Sequence, residues 1–135
     1  MNNMNVIVFT NILNKITASH YQEEYIKHLS LNNNFFFYGK GYTNYNSNDN
    51  FFDILAKSNF GNKLDMVIFA HSWLIDDPNT KFISYHKDLK IVKDIPIVGV
   101  LNKEYVNLEK KLQYFKSNKF DLIISHYLDC HEFEK

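Results

Sequence analysis

The sequence predicts an α/β fold: a doubly wound, Rossmann-like sheet of five parallel strands with helices on both faces. Five short apolar runs are spaced along the chain, the form taken by strands buried on both sides. Each is followed by a stretch that reads as helix or as a loop leading into one, which argues for right-handed crossovers between parallel strands. Each run also ends on polar or aromatic groups: Phe9-Thr10, Tyr38-Gly39-Lys40-Gly41-Tyr42, His71-Ser72-Trp73, Asn102-Lys103-Glu104 and Ser125-His126-Tyr127. In an open parallel sheet the carboxyl ends of the strands share one edge, and ligands bind in the crevice outside it. Residues scattered over the sequence therefore converge on one cleft.

The elements follow in order. Val6-Ile7-Val8-Phe9 is the first strand, and a polar loop from Thr10 to Ile16 leads to a helix. Ser19 stands three residues before Gln22 as in a capping box, with Thr17 as a rival cap. Tyr21, Tyr25, Ile26 and Leu29 keep helical spacing, and Asn32-Asn33-Asn34 ends the element. Phe35-Phe36-Phe37-Tyr38 is the second strand, stopped by Gly39 and Gly41. Thr43 to Asn50, rich in Asn, Ser, Asp and Tyr, reads as an exposed loop. Phe51, Phe52, Ile54 and Leu55 predict a short amphipathic helix ending near Gly61. Met66-Val67-Ile68-Phe69 is the third strand. Asp76-Asp77-Pro78-Asn79 is turn chemistry, and Phe82 to Leu89 reads as a short helix or a loop. Ile97-Val98-Gly99-Val100-Leu101 is the fourth strand, and Asn107 to Lys119 the clearest helix, with Leu108, Leu112 and Phe115 on one face. Leu122-Ile123-Ile124 is the fifth strand, and the tail from Leu128 to Lys135 stops where a further helix is expected.

A length of 135 residues suits one domain spanning 1–135. Fifteen lysines balance fifteen Asp and Glu, and no arginine occurs. Bidentate guanidinium contacts to phosphate or to guanine edges are thus excluded, and without a basic excess no nucleic-acid partner is expected. One cysteine, Cys130, rules out an internal disulfide and suits a reducing compartment. No secretory signal and no apolar run of membrane-spanning length are visible, so a soluble, cytoplasmic protein is expected.

The loops exclude several chemistries of this fold class. The first turn, Thr10-Asn11-Ile12-Leu13-Asn14, holds no glycine, so backbone amides are not shaped to cradle a dinucleotide pyrophosphate. The glycines of Gly39 and Gly41 follow the second strand, lack a third partner and read as a plain turn. No Walker loop is present. A phosphate-accepting regulator would carry Asp after the third strand, where Ala70-His71 stands; Asp65 lies at the strand's other end. A flavin-binding first loop rich in Ser, Thr and Gly is also absent. His126, Asp129 and His131 match no zinc spacing, and Cys130 has no Cys partner, so no metal or other cofactor is expected.

The segments Tyr38-Gly39-Lys40-Gly41-Tyr42, Phe69-Ala70-His71-Ser72-Trp73-Leu74 and Leu101-Asn102-Lys103-Glu104-Tyr105 resemble the amino-terminal half of two-domain, GT-B glycosyltransferases. The branch is the bacterial spore-maturation-like, or group 1, family. Asn107 to Leu112 and Asp121 to His126 extend the resemblance, which covers about Asn5 to His131. It implies a half-enzyme: an acceptor domain that binds a sugar or glycan, usually without a metal. The nucleotide-sugar donor would be held by a second, donor-binding domain that has no counterpart in this sequence.

Within that frame His71, beside Ser72 and Trp73 at a strand end, and His20, near the start of the first helix, are the catalytic candidates. A neutral imidazole there could accept the proton of an acceptor hydroxyl. For His20 the rival reading is a helix-surface residue. Thr10, Tyr38, Gly39, Lys40, Gly41, Tyr42, Ser72, Trp73, Asn102, Lys103, Glu104 and His126 are the candidate substrate-binding residues. Trp73, Tyr42 and Tyr45 could stack on sugar rings, although with aromatics at 16% any one of them is commonly packing. Asn102, Lys103 and Glu104 could hydrogen-bond hydroxyls or a phosphate, or instead cap the next helix. Two alternatives stay open: a non-catalytic glycan- or nucleotide-binding module, and a flavodoxin-like interaction or regulatory domain.

Overall fold

The computed structural model describes residues 3–12, 20–70, 73, 94–101 and 107–125. The elements are β1 (Asn5–Phe9), α1 (His20–Ser30), β2 (Asn34–Tyr38), α2 (Phe51–Ser58), a 3-10 turn (Gly61–Lys63), β3 (Met66–Phe69), β4 (Ile97–Val100), α3 (Leu108–Ser117) and β5 (Leu122–Ile124). The five strands form one sheet in the order β2-β1-β3-β4-β5, and every neighbouring pair is parallel. The predicted doubly wound α/β fold is thus the observed one. The chain leaves β1 toward β2 and crosses back to β3, so the order reverses between β1 and β3. That reversal opens a crevice at the carboxyl edge.

Strand alternation divides the core into two layers. Ile7, Phe9, Tyr38, Val67, Phe69 and Ile97 face α2 and α3, which contribute Phe51, Ile54, Tyr114 and Phe115. Val6, Val8, Ile68, Val98 and Val100 face the other way and meet Ile26 of α1. Helices therefore cover both faces. At the amino-terminal edge, Asp65 accepts a hydrogen bond from the Asn5 backbone N–H at 2.8 Å, which joins β1 to the start of β3.

Element boundaries depart from the sequence expectation at asparagines. The second helix starts at a capping box, with Asn50 and Asp53 each accepting a hydrogen bond from the other's backbone N–H. It ends at Ser58 rather than near Gly61, because Asn59 turns into the left-handed region (φ 60°). The third helix is trimmed to Leu108–Ser117 because Asn107 and Lys119 also have positive φ, 53° and 52°. The second strand begins one residue early, at Asn34, and the fourth ends at Val100 with buried Leu101 just beyond. The rival caps Thr17 and Ser19, the turn at 76–79 and the segment 82–89 lie outside the described residues. Among the described residues no helix is long and apolar enough to cross a membrane.

Candidate functional site at the carboxyl edge

Three adjacent strand ends are pinned together. The Thr10 N–H donates to the Tyr38 carbonyl (3.0 Å), and the Ile12 N–H donates to the Lys40 carbonyl (2.8 Å). The Lys40 N–H donates to the Asn11 side-chain oxygen at 2.8 Å. On the other side of β1, the Ala70 N–H donates to the Phe9 carbonyl at 2.8 Å. Gly39 and Gly41 allow this closeness. A Cβ on Gly39 would stand 1.9 Å from the Thr10 carbonyl oxygen, and one on Gly41 would stand 2.7 Å from the Ile12 Cβ. The two glycines are thus more than a plain turn: they let the loops after β1 and β2 run side by side.

Tyr38 is not presented to a ligand. Its ring is fully buried, edge-on to Phe9 at 6.1 Å and tilted against Tyr45 at 5.4 Å. Its hydroxyl donates to the Asp49 carboxylate at 2.5 Å and accepts from the Asn46 N–H at 3.2 Å. The same Asp49 oxygen takes the Lys57 ammonium, which also donates to the Asn44 carbonyl at 3.0 Å. Burial first, and then the bond to Asp49, push the Tyr38 phenol well above its ordinary range. Lys57, and after it Tyr38, hold the Asp49 carboxyl below its ordinary value. The loop read as exposed is thus tied down over the end of β2.

Trp73 is likewise a core residue, 6% exposed. Its indole lies 5.0 Å from the Phe9 ring and 6.2 Å from that of Phe69. It shares a side-chain hydrogen bond with the Tyr114 hydroxyl, and burial pushes the Tyr114 phenol up. Because an indole can only donate, Tyr114 is the acceptor. Tyr38 and Trp73 thus pack into the α2/α3 layer of the core.

Thr10, Ile26, Lys27, Phe37 and Tyr42 line a pocket of about 170 Å³. Thr10 is buried at the end of β1, Ile26 is buried on α1, and the half-buried Tyr42 ring lies parallel to that of Phe37 at 6.1 Å and 8°. Lys27 is tied to Glu24 at 2.8 Å on the exposed side of the helix.

Of the predicted substrate-binding residues, Thr10 and Tyr42 meet in this pocket, Gly39 and Gly41 shape its approach, and Lys40 is exposed beside it. His20 is the first residue of α1, and its side chain lies outside what is described. His71, Ser72, Asn102, Lys103, Glu104 and His126 lie outside the described residues. Among the described residues no group of three His, Cys, Asp or Glu could hold a metal ion.

Sequence reasoning missed Ile26, Lys27 and Phe37 as pocket residues, and it missed Lys111, a fully buried lysine on α3. The signal for Lys111 was available: it falls on the apolar stripe of Leu108, Leu112 and Phe115.

Comparison with known proteins finds no family model, no curated protein and no solved structure that matches this chain. What the fold and the edge define is a class: a doubly wound α/β domain with a small, mostly apolar pocket beside the point where its strand order reverses.

Proposed function

We propose that this chain is the acceptor-binding domain of a GT-B glycosyltransferase, holding the acceptor at the carboxyl edge beside Tyr42. The observation that carries the reading is the pocket at that edge. At about 170 Å³ it is smaller than the roughly 300–1,000 Å³ of sites that enclose drug-sized ligands. Among the described residues it offers room for one ring, which suits an acceptor domain whose donor is held elsewhere. The segments 38–42, 69–74 and 101–105, which resemble that family, surround the same edge in sequence.

In the reaction so assigned, the acceptor oxygen forms a bond to the anomeric carbon of the donor sugar. The bond from that carbon to the nucleoside diphosphate breaks, and its electron pair leaves with the diphosphate. The acceptor proton passes to a base, for which we assign His71, the residue after Ala70 at the end of β3. The donor would be gripped by a separate donor-binding domain.

Two observations favour a second reading, the flavodoxin-like interaction or regulatory domain. The strand order is β2-β1-β3-β4-β5, the order of that fold, and Tyr38 and Trp73 are buried where a sugar-binding edge would present them. The test is to incubate the product of the native gene with a panel of nucleotide-sugars and hydroxyl acceptors, and to follow nucleoside diphosphate release. Acceptor-dependent release, abolished by His71→Ala with the fold intact, is expected. No release in the presence of every donor, from a product whose intact mass ends at Lys135, would leave a binding module or the interaction domain instead.

A further inference from the structure

We infer that the ligand of the pocket beside Tyr42 is an alcohol or phenol carried on a single apolar ring, rather than a free sugar. The inference rests on the acceptor-site reading and names the substrate class within it. Among the described residues, Ile26, Phe37 and Tyr42 give the pocket apolar and aromatic walls, while Thr10 and Lys27 supply polar groups. Lys27 is already bonded to Glu24 at 2.8 Å, so these polar groups are few against the several hydroxyls of a sugar.

A free hexose brings a hydroxyl on nearly every carbon. Each hydroxyl buried against Ile26 or the Phe37 ring would lose its water without gaining a partner, at a cost of roughly five- to a hundredfold in affinity. An apolar ring placed there gains instead, by roughly fourfold for each methylene-sized group removed from water. The pocket volume, about 170 Å³, admits one such ring. One hydroxyl can be served at the polar end, where Thr10 closes β1. The face matters too. Thr10 and Phe37 stand on the α1 side of the sheet, away from the layer in which Trp73 packs on Phe9 and Phe69. The ring therefore enters between α1 and the loop that carries Tyr42.

The test is an NMR titration of the 15N-labelled chain with two probes of similar ring size, benzyl alcohol and methyl α-glucoside. Benzyl alcohol is expected to shift the amide signals of Thr10, Ile26, Phe37 and Tyr42, with at least tenfold higher affinity than the glucoside. Tyr42→Ala, at a half-buried loop position, should weaken it at least fivefold, and Tyr42→Phe should keep it within twofold. Ile26→Phe, which fills the pocket from α1, should abolish it and covers the case in which Tyr42→Ala disturbs the loop. Methyl α-glucoside bound at the same residues as tightly as benzyl alcohol would overturn the ligand class and leave the acceptor-site reading standing. Benzyl alcohol shifts that are indifferent to Tyr42→Ala and Ile26→Phe would overturn the inference as nonspecific binding. Shifts confined to Ala70, Leu101 and Ser125 would place the ligand elsewhere along the edge and overturn both the pocket inference and the placement of the acceptor beside Tyr42. No response to either probe anywhere on the edge would refute both.

Discussion

Gly99 tests the packing of the sheet most directly. It sits in β4, and a Cβ placed on it would stand 2.3 Å from Cε1 of Phe115, 2.8 Å from Cζ and 3.0 Å from Cδ1. The Phe115 ring cannot simply withdraw. It is 1% exposed, with the Phe120 ring edge-on at 4.6 Å and that of Tyr114 at 6.1 Å. Gly99→Ala therefore drives a methyl group into a filled core, an overpacking that costs roughly 1–3 kcal/mol. The substitution also removes backbone freedom from the unfolded chain, which offsets about 0.4–1 kcal/mol. The net expectation is a loss of about 1–2 kcal/mol. For a chain of 135 residues the unfolding entropy makes each kcal/mol worth about 3–4 °C, so the thermal midpoint should fall by roughly 3–8 °C. Urea denaturation of the wild-type chain, Gly99→Ala, Phe115→Leu and the double variant would complete a cycle. A coupling of about 1 kcal/mol or more, with the smaller ring relieving the added methyl, is expected. A neutral or stabilising Gly99→Ala would refute the placement of Phe115 over β4.

Two further substitutions probe the edge. Asp49→Asn, which breaks the tie among Tyr38, Lys57 and the loop before α2, should cost about 1–2 kcal/mol, measured by urea denaturation at neutral pH. The folded-state pKa of Asp49 lies below its ordinary 3.8, so its contribution is present above that value and is lost as pH falls through the folded pKa. Denaturation midpoints measured from pH 5 downward should therefore drop more steeply for the wild-type chain than for Asp49→Asn; equal slopes would deny the carboxylate its role. Gly39→Ala should be far more damaging than Gly61→Ala. The first meets the Thr10 carbonyl at 1.9 Å, while the second, with nothing within 4 Å, carries only the left-handed strain of roughly 1–2 kcal/mol. Thermal melts of the two variants side by side would show it.

The strands were legible because burial on both faces leaves a continuous apolar run, and four residues such as Val6 to Phe9 suffice to show it. Helix ends were less legible. Asparagine is common throughout this chain, and nothing local singles out Asn59 and Asn107 as the ones that turn left-handed. The pocket was harder again. Ile26 was readable from helical spacing as a core residue, but the gap beside it depends on how α1 lies against Phe37 and Tyr42. Tyr38 was read as a ligand contact because it stands at the carboxyl end of a strand. The loop of residues 43–50 closes over it through Asp49 and Asn46, and that is a tertiary fact with no local mark. Trp73 was misleading for a similar reason: the turn after β3, with the Trp73 N–H bonded to the Ala70 carbonyl at 2.9 Å, carries the indole back onto Phe9.

The sheet order also ranks the histidines of this edge, the catalytic candidate His71 against His126, which was read as a substrate contact. If the acceptor sits beside Thr10 and Tyr42, it sits at the ends of β1 and β2. His71 follows β3, the immediate neighbour of β1, about 5 Å away in the hydrogen-bonding direction. His126 follows β5, separated from β1 by β3 and β4, which is roughly 14–15 Å at that spacing. Direct proton transfer needs heavy atoms within about 2.6–3.2 Å, or one intervening water. Strand order therefore ranks a base after β3 above one after β5 for the pocket. His20 is the rival, because α1 begins with it and lines the pocket through Ile26 and Lys27. A pH–rate profile that loses its lower limb in His71→Ala, and keeps it in both His20→Ala and His126→Ala, would establish His71 as the base. Loss of that limb in His126→Ala alone would place the reacting hydroxyl at the β5 end of the edge and sever the reaction from the pocket.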